Sequence, residues 1–109
     1  MAKTITETKC PVTATLNLIG GKWKAIILYS LTNGTKRFGE IEVRIPDISR
    51  KVLTEQLKEL EADGLILREH YKEIPPRVDY SLTELGRSLS SVIKELEIWG
   101  SENVLAKRN

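Results

Sequence analysis

The chain has 109 residues, enough for one domain with an ordinary core and little to spare. Apolar residues make up 40% and charged residues 29%, which weighs against a fibre or a disordered chain, and no apolar run approaches the ~20 residues of a membrane span. A net charge of +2 is too small to name a partner by itself, and a lone cysteine cannot form an intrachain disulfide, which suits a reducing compartment.

Residues 1–9 read as a flexible leader without the apolar core of a signal peptide, so the expected location is the cytoplasm. The folded domain is expected over residues 10–102 and a basic tail, ending in Lys107 and Arg108, over residues 103–109. Pro11 has the fixed φ favoured at a first helical position. Val12, Leu16 and Ile19 follow at four-three spacing, so a short amphipathic helix should run to Gly20-Gly21. If Pro11 opens that helix, Cys10 is its N-cap. Free N–H groups, the positive end of the helix dipole and the adjacent Lys9 then all favour the reactive thiolate.

A second helix is read from Lys22 to about Thr32, with Trp23, Ile26, Ile27 and Leu31 on its apolar face. Asn33-Gly34 ends it, since both residues tolerate a left-handed stop. A third helix, from about Arg37 to Arg44, turns Phe38, Ile41 and Ile45 inward before Pro46 breaks it. Ser49 is a good N-cap for a fourth helix over Arg50–Asp63, with Val52, Leu53, Leu57 and Leu60 near one face. Two helices joined by a tight turn at Pro46-Asp47 form the outline of a helix-turn-helix.

After Gly64 the period changes. "LILREHY" (65–71) and "RVDYSL" (77–82) read as strands, with "KEIPP" as the polar and proline-rich tip of a hairpin. Thr83 can cap a last helix whose apolar positions Leu85, Leu89, Val92, Leu96 and Trp99 repeat every four and three residues. The expected fold class is therefore α+β, mainly α: a winged helix-turn-helix with flanking N- and C-terminal helices.

The fourth helix is charged against its own dipole. A helix N-terminus prefers anions and a C-terminus cations, by ~0.3–1 kcal/mol per group. Here Arg50 and Lys51 lead, and Glu59, Glu61 and Asp63 follow. A B-DNA major groove admits one α-helix, and the phosphates beside it attract cations at the leading end. Ser49, Arg50, Lys51, Thr54 and Glu55 lie in the first turns, with Gln56 and Lys58 further along. Arg50 and Lys51 suit guanine O6/N7 or phosphate; the Ser49 and Thr54 hydroxyls suit either. Lys72 and Arg77 flank the wing tip and suit the minor groove or its phosphates, and Lys36 and Arg37 suit a backbone clamp. The bland alternative is a solvated helix face, which is what charge runs usually are. The order of helix-turn-helix and wing favours double-stranded DNA as partner.

The blocks "CPVTATLNLIGGKWKAIILYSL", "RFGEI", "ISRKVLTEQLKELEADGLILREHY", "PPRVDYSLTELGRSL" and "LEIWG" resemble, in order, the HxlR-type winged-helix regulators of bacteria, relatives of the MarR group. The likeness spans about Lys9 to Gly100. It implies a dimeric transcription factor, more often a repressor, held together by its terminal helices and binding DNA through residues 49–58 and the wing. Val12, Leu16, Ile19, Leu89, Val92, Leu96 and Trp99 are the expected interface; the alternative is that they close the monomer core. A two-fold dimer would meet an inverted-repeat operator with half-sites about one DNA turn apart.

In some members of the resembled family the cysteine at the Cys10 position senses oxidants or electrophiles, and some pair it with a second cysteine near the C-terminus. This chain has no second cysteine. Oxidation would then give a Cys10–Cys10 bridge between chains, a mixed disulfide, a sulfenic acid or an adduct, and the bridge needs Cα atoms within ~7 Å. The alternative is an inert cysteine at an interface.

No enzyme is expected. Cys10 and His70 lack a third orienting group, one Cys and one His fall short of a zinc site, and no phosphate-binding glycine loop is present, so no metal and no cofactor are expected. The rival to a thiol-switched regulator is a winged helix that answers to a small ligand or a protein partner.

Overall fold

A computed structural model describes residues 9–106. The expectations for residues 1–8 and for Lys107 and Arg108 lie outside the described residues.

Helix α1 (Pro11–Ile19) starts at Pro11 behind the Cys10 N-cap and stops at Gly20. Helix α2 (Lys24–Ser30) follows, shorter than its apolar pattern predicted because Trp23 and Leu31 serve as its caps. A two-residue strand, β1 (Lys36–Arg37), precedes helix α3 (Phe38–Arg44). The Glu40 side chain accepts from the Arg37 backbone N–H at 2.9 Å, closing the first turn of α3. After the Pro46-Asp47 turn, Ser49 caps helix α4 (Arg50–Ala62), its hydroxyl accepting from Val52 N–H at 3.1 Å.

Gly64, at φ +76°, takes the left-handed turn out of α4 that a residue with a Cβ would resist. Strands β2 (Ile66–Tyr71) and β3 (Arg77–Leu82) form the wing hairpin, pairing antiparallel from Ile66 opposite Leu82 to Tyr71 opposite Arg77. Strand β1 adds to the other edge of β3, with Lys36 opposite Tyr80, so the sheet order is β1-β3-β2. The sequence reading missed β1, since two residues carry no period.

The core is built by the helix-turn-helix itself. Ile27, Leu28 and Leu31 of the α2 region, Ile41, Ile45 and Ile48 around α3, and Leu53, Leu57 and Leu60 of α4 are all buried. They meet Leu65, Ile66, Tyr80 and Leu82 of the wing. The spacing of Leu53, Leu57 and Leu60 puts one stripe of α4 inward and leaves its other faces in solvent.

The C-terminal region departs from the sequence reading. The continuous helix expected after Thr83 is broken at Leu89 into α5 (Glu84–Ser88) and α6 (Ser90–Gly100). A π-type turn, Ser101–Leu105, then carries the helix past residue 102 and into the segment read as a basic tail. The inward residue of α6 is Ile93, one position from the predicted seam, while Leu85, Val92, Leu96 and Trp99 stay exposed and Leu89 is half-buried against the core. Thr83 fastens this region to the wing root: its N–H donates to Leu65 O at 3.1 Å and its hydroxyl to Gly64 O at 2.6 Å. Gly86 packs so closely on the same place that a Cβ there would overlap the carbonyl oxygen of Leu65.

Two predicted residues are relocated. Ile19, expected at an interface, is 4% exposed and belongs to the chain's own core, because the last turn of α1 folds back onto it. Lys36, expected to clamp a DNA backbone, is 8% exposed: as a strand residue paired with Tyr80 it turns inward, and its ammonium donates to Gly34 O at 3.4 Å.

Candidate nucleic-acid interface

The exposed end of α4 gathers the residues expected to meet DNA. Ser49, Arg50, Lys51, Thr54, Glu55 and Lys58 are exposed and Gln56 is half-buried. Ser49 spends a lone pair on the helix cap and keeps its O–H to donate outward. Thr54 donates its hydroxyl to Arg50 O at 2.8 Å, so toward a ligand it is an acceptor.

Arg50 is the most constrained of the cations. Its Nη1 donates to Glu42 Oε1 of α3 at 2.6 Å, and its guanidinium lies 4.7 Å from the centroid of the Phe38 ring, yet the side chain remains 72% exposed. Of the acids at the far end of α4, Glu59 is turned away from these cations. It pairs with Lys24 of α2 at 2.7 Å, which ties that end to the body of the domain. The charge reversal read in the sequence is thus divided between two neighbourhoods: exposed cations ahead, with Arg50 held by Glu42, and behind them Glu59 paired to Lys24.

The wing is less cationic than its sequence suggests. Lys72 is exposed, but Arg77 stacks on Tyr71 at 4.2 Å and faces Asp79 at 3.5 Å and Glu73 at 3.7 Å. Its Nε is buried without a hydrogen bond. Arg77 therefore holds the hairpin together, and the tip offers the fully exposed Ile74 and two prolines instead. Arg37 is exposed at the edge of the sheet.

One cation was missed. Arg68 on β2 lines a cleft of about 250 Å³ with Thr54, Lys58 and the acid Glu61 of α4, over a floor of Leu57 and Tyr80. Its sequence signal was weak: it sits in a strand read for its apolar residues. Among the described residues no cluster of three or more His, Cys, Asp or Glu could hold a metal ion, and no helix is long and apolar enough to cross a membrane.

On another part of the molecule, Cys10 caps α1 with its sulfur 3.5 Å from Thr13 N–H, and it is partly exposed. Hydrogen bonding from Thr13 holds its thiol below the ordinary value, against a smaller opposing effect of burial. An open apolar groove of about 410 Å³ runs between α2 and α6, lined by Ile26, Tyr29, Ile93, Leu96, Val104 and Leu105. At its edge the Tyr29 hydroxyl donates to Glu97 at 2.6 Å.

The chain matches the HxlR-like helix-turn-helix family over residues 18–108. It is 55% identical over 93 residues to the uncharacterized HTH-type transcriptional regulator YdeP of Bacillus subtilis (strain 168), covering 85% of this chain and 73% of that protein. Among solved structures it is similar to the redox regulator HypR in its oxidized form, with 50% identity, a TM-score of 0.83 and coverage of 86% of this chain and 97% of the other. A MarR-family regulator structure from Porphyromonas gingivalis W83 superposes with a TM-score of 0.89 at 39% identity, covering 94% of this chain and all of that one.

Proposed function

The chain belongs to the HxlR-like helix-turn-helix family and is a transcriptional regulator with that fold, and from this premise we propose that it represses transcription as a homodimer on an inverted-repeat operator in double-stranded DNA. The observation that carries the proposal is the charge division of α4. Arg50 and Lys51 stand exposed at the end that its dipole would reserve for anions, while Glu59 is tied back to Lys24. A polyanion in front of α4 makes sense of both.

In this reading Ser49, Arg50, Lys51 and Thr54 enter the major groove, with Gln56 reaching less far. Lys58 and Arg68 take the sugar-phosphate strand that crosses between helix and wing, and Arg37 and Lys72 hold phosphates at the edges. Arg77 shapes the wing and is not its leading cation. The dimer draws on Val12, Leu16, Val92, Leu96 and Trp99, with Leu89 at the margin; Val12 is 66% and Trp99 62% exposed, more than a solitary monomer gains from leaving in water. The domain spans residues 10–102 in this reading, with the C-terminal turn extending it.

Regulation through Cys10 is part of the proposal. It is supported by the N-cap geometry and by the similarity to HypR, which is described as a redox regulator. With one cysteine, oxidation gives a bridge between two chains, a mixed disulfide with a small thiol or a sulfenic acid, and an electrophile gives an alkyl adduct. A second reading is favoured by the open groove between α2 and α6: a small apolar ligand there would be the signal, with no thiol switch.

Gel shifts on the protein's own promoter test the function. Binding should weaken steeply with salt, Arg50→Ala and Lys51→Ala should each lose affinity with the dimer intact, and Cys10→Ser should remove any response to diamide. No binding at low salt overturns the DNA reading. A diamide response that survives Cys10→Ser overturns the switch, and ligand-driven release in that variant favours the groove.

A further inference from the structure

The contacts of Arg50 inside the protein go beyond charge. We propose that Glu42 and Phe38 of α3 form a cradle that orients Arg50 and thereby sets its preference for guanine in each half-site, so that an acidic residue next to the DNA strengthens specific binding. The inference rests on the DNA reading above.

A free surface arginine samples many rotamers and must lose that freedom to make a two-pronged contact. Arg50 is restrained before any ligand arrives. Glu42 Oε1 accepts from Nη1 at 2.6 Å and the Phe38 ring lies under the guanidinium at 4.7 Å. Both restraints stand on fixed ground. Glu42 follows Ile41, which is fully buried, and Phe38 packs against the core. The bond to Glu42 occupies one amino group of the guanidinium and leaves Nε and Nη2 outside it. Those two nitrogens share one edge, the shape that donates two parallel hydrogen bonds to guanine O6 and N7. The side chain remains 72% exposed with both contacts in place. The loss of motion is thus taken in folding, which is how preorganisation raises affinity.

The sign of one substitution separates this from simple electrostatics. Glu42 places a negative charge beside the expected path of phosphates. If it acted through charge alone, removing it would tighten binding to every DNA sequence. If it positions Arg50, removing it weakens binding to the operator and leaves unrelated DNA bound equally or more tightly.

The experiment is a double-mutant cycle on operator DNA mapped by footprinting, with an unrelated duplex of the same length as control and thermal melts to confirm folding. Glu42→Gln, nearly isosteric, should lose roughly tenfold in operator affinity and none on the control duplex. It should also flatten the affinity differences among single-base replacements at one guanine of the half-site. Phe38→Leu should act in the same direction. In an Arg50→Ala background, Glu42→Gln should have no further effect. Tighter binding of Glu42→Gln to both duplexes, or a loss that persists undiminished without Arg50, overturns the cradle. Operator binding that is indifferent to both Arg50→Ala and Glu42→Gln overturns it while leaving the DNA reading standing; no binding to any duplex overturns both.

Discussion

The α3–α4 end of the molecule and its terminal helices treat apolar residues in opposite ways. Around the turn, Ile41, Ile45, Ile48, Leu53, Leu57 and Leu60 are all buried within the one chain, and apart from Val43 of α3 what faces outward is mostly polar or charged. In α1 and α6 the balance is reversed: Ile19 and Ile93 are the buried residues, and Val12, Leu16, Leu96 and Trp99 face outward. A nine-residue helix such as α1 is marginal in water by itself, so its stability has to come from what it packs against. The contrast teaches that two faces of one small fold differ most in surface chemistry, one charged and one apolar.

The largest effect should come from breaking the self-contained half. Leu57→Ala, at a fully packed position of α4, is expected to lower stability by about 2–5 kcal/mol in a denaturant titration. A much smaller loss would mean that α4 is not held by the chain's own core. Next comes the terminal half. Leu96→Glu combined with Trp99→Glu should leave the circular dichroism spectrum intact, yield monomers in sedimentation, and weaken operator binding roughly 100-fold through lost bivalency. Unfolding instead of dissociation would show that these residues serve the monomer.

Smaller effects sharpen the picture at the charged end. Ser49→Ala removes the α4 cap and should lower stability by about 1 kcal/mol in thermal melts. Arg68→Ala should weaken all duplexes about equally and reduce the salt slope by about 1, the signature of one phosphate contact. A sequence-dependent loss would move Arg68 from the phosphates to the bases. The smallest effect concerns Glu97, whose carboxyl is held below its ordinary value, first by the Tyr29 hydroxyl and then by Lys94. A depressed carboxylate contributes stability that is present above its unfolded pKa and is lost as pH falls through the lower folded one. Melting curves between neutral and acidic pH should therefore show a slightly shallower acid-side decline for Tyr29→Phe than for the parent protein.

Much of this was legible in the chain. The stop at Gly20, the cap at Ser49, the Pro46 turn, the wing strand Arg77–Leu82 and the reversed charges of α4 all leave strong local marks, because each depends on one residue's backbone or on a clear period. Lys36 was not legible as a buried residue, since a lysine in a polar stretch reads as exposed until a strand partner turns it inward. The seam of the last helix was misplaced by one position. Val92 and Ile93 are both apolar, and spacing alone does not say which of two adjacent stripes meets the core. Nor could spacing show the break at Leu89, across which the apolar repeat runs without a fault. Arg77 and Arg50 look alike in sequence; only the acids and rings brought beside them make one a brace for the wing and the other a presented group. The cradle of Arg50 was equally hidden, because Glu42 is eight residues away and belongs to another helix.

The close packing at Gly86 carries a last consequence. Helix α5 meets the start of β2 backbone against backbone, and Thr83 adds two hydrogen bonds at the same joint. With main chain this near to main chain, the position of α5 and the root of the wing are set together. Mutational drift meets the same constraint: position 86 accepts glycine and nothing larger, and even a single added methyl would have to force two segments of main chain apart.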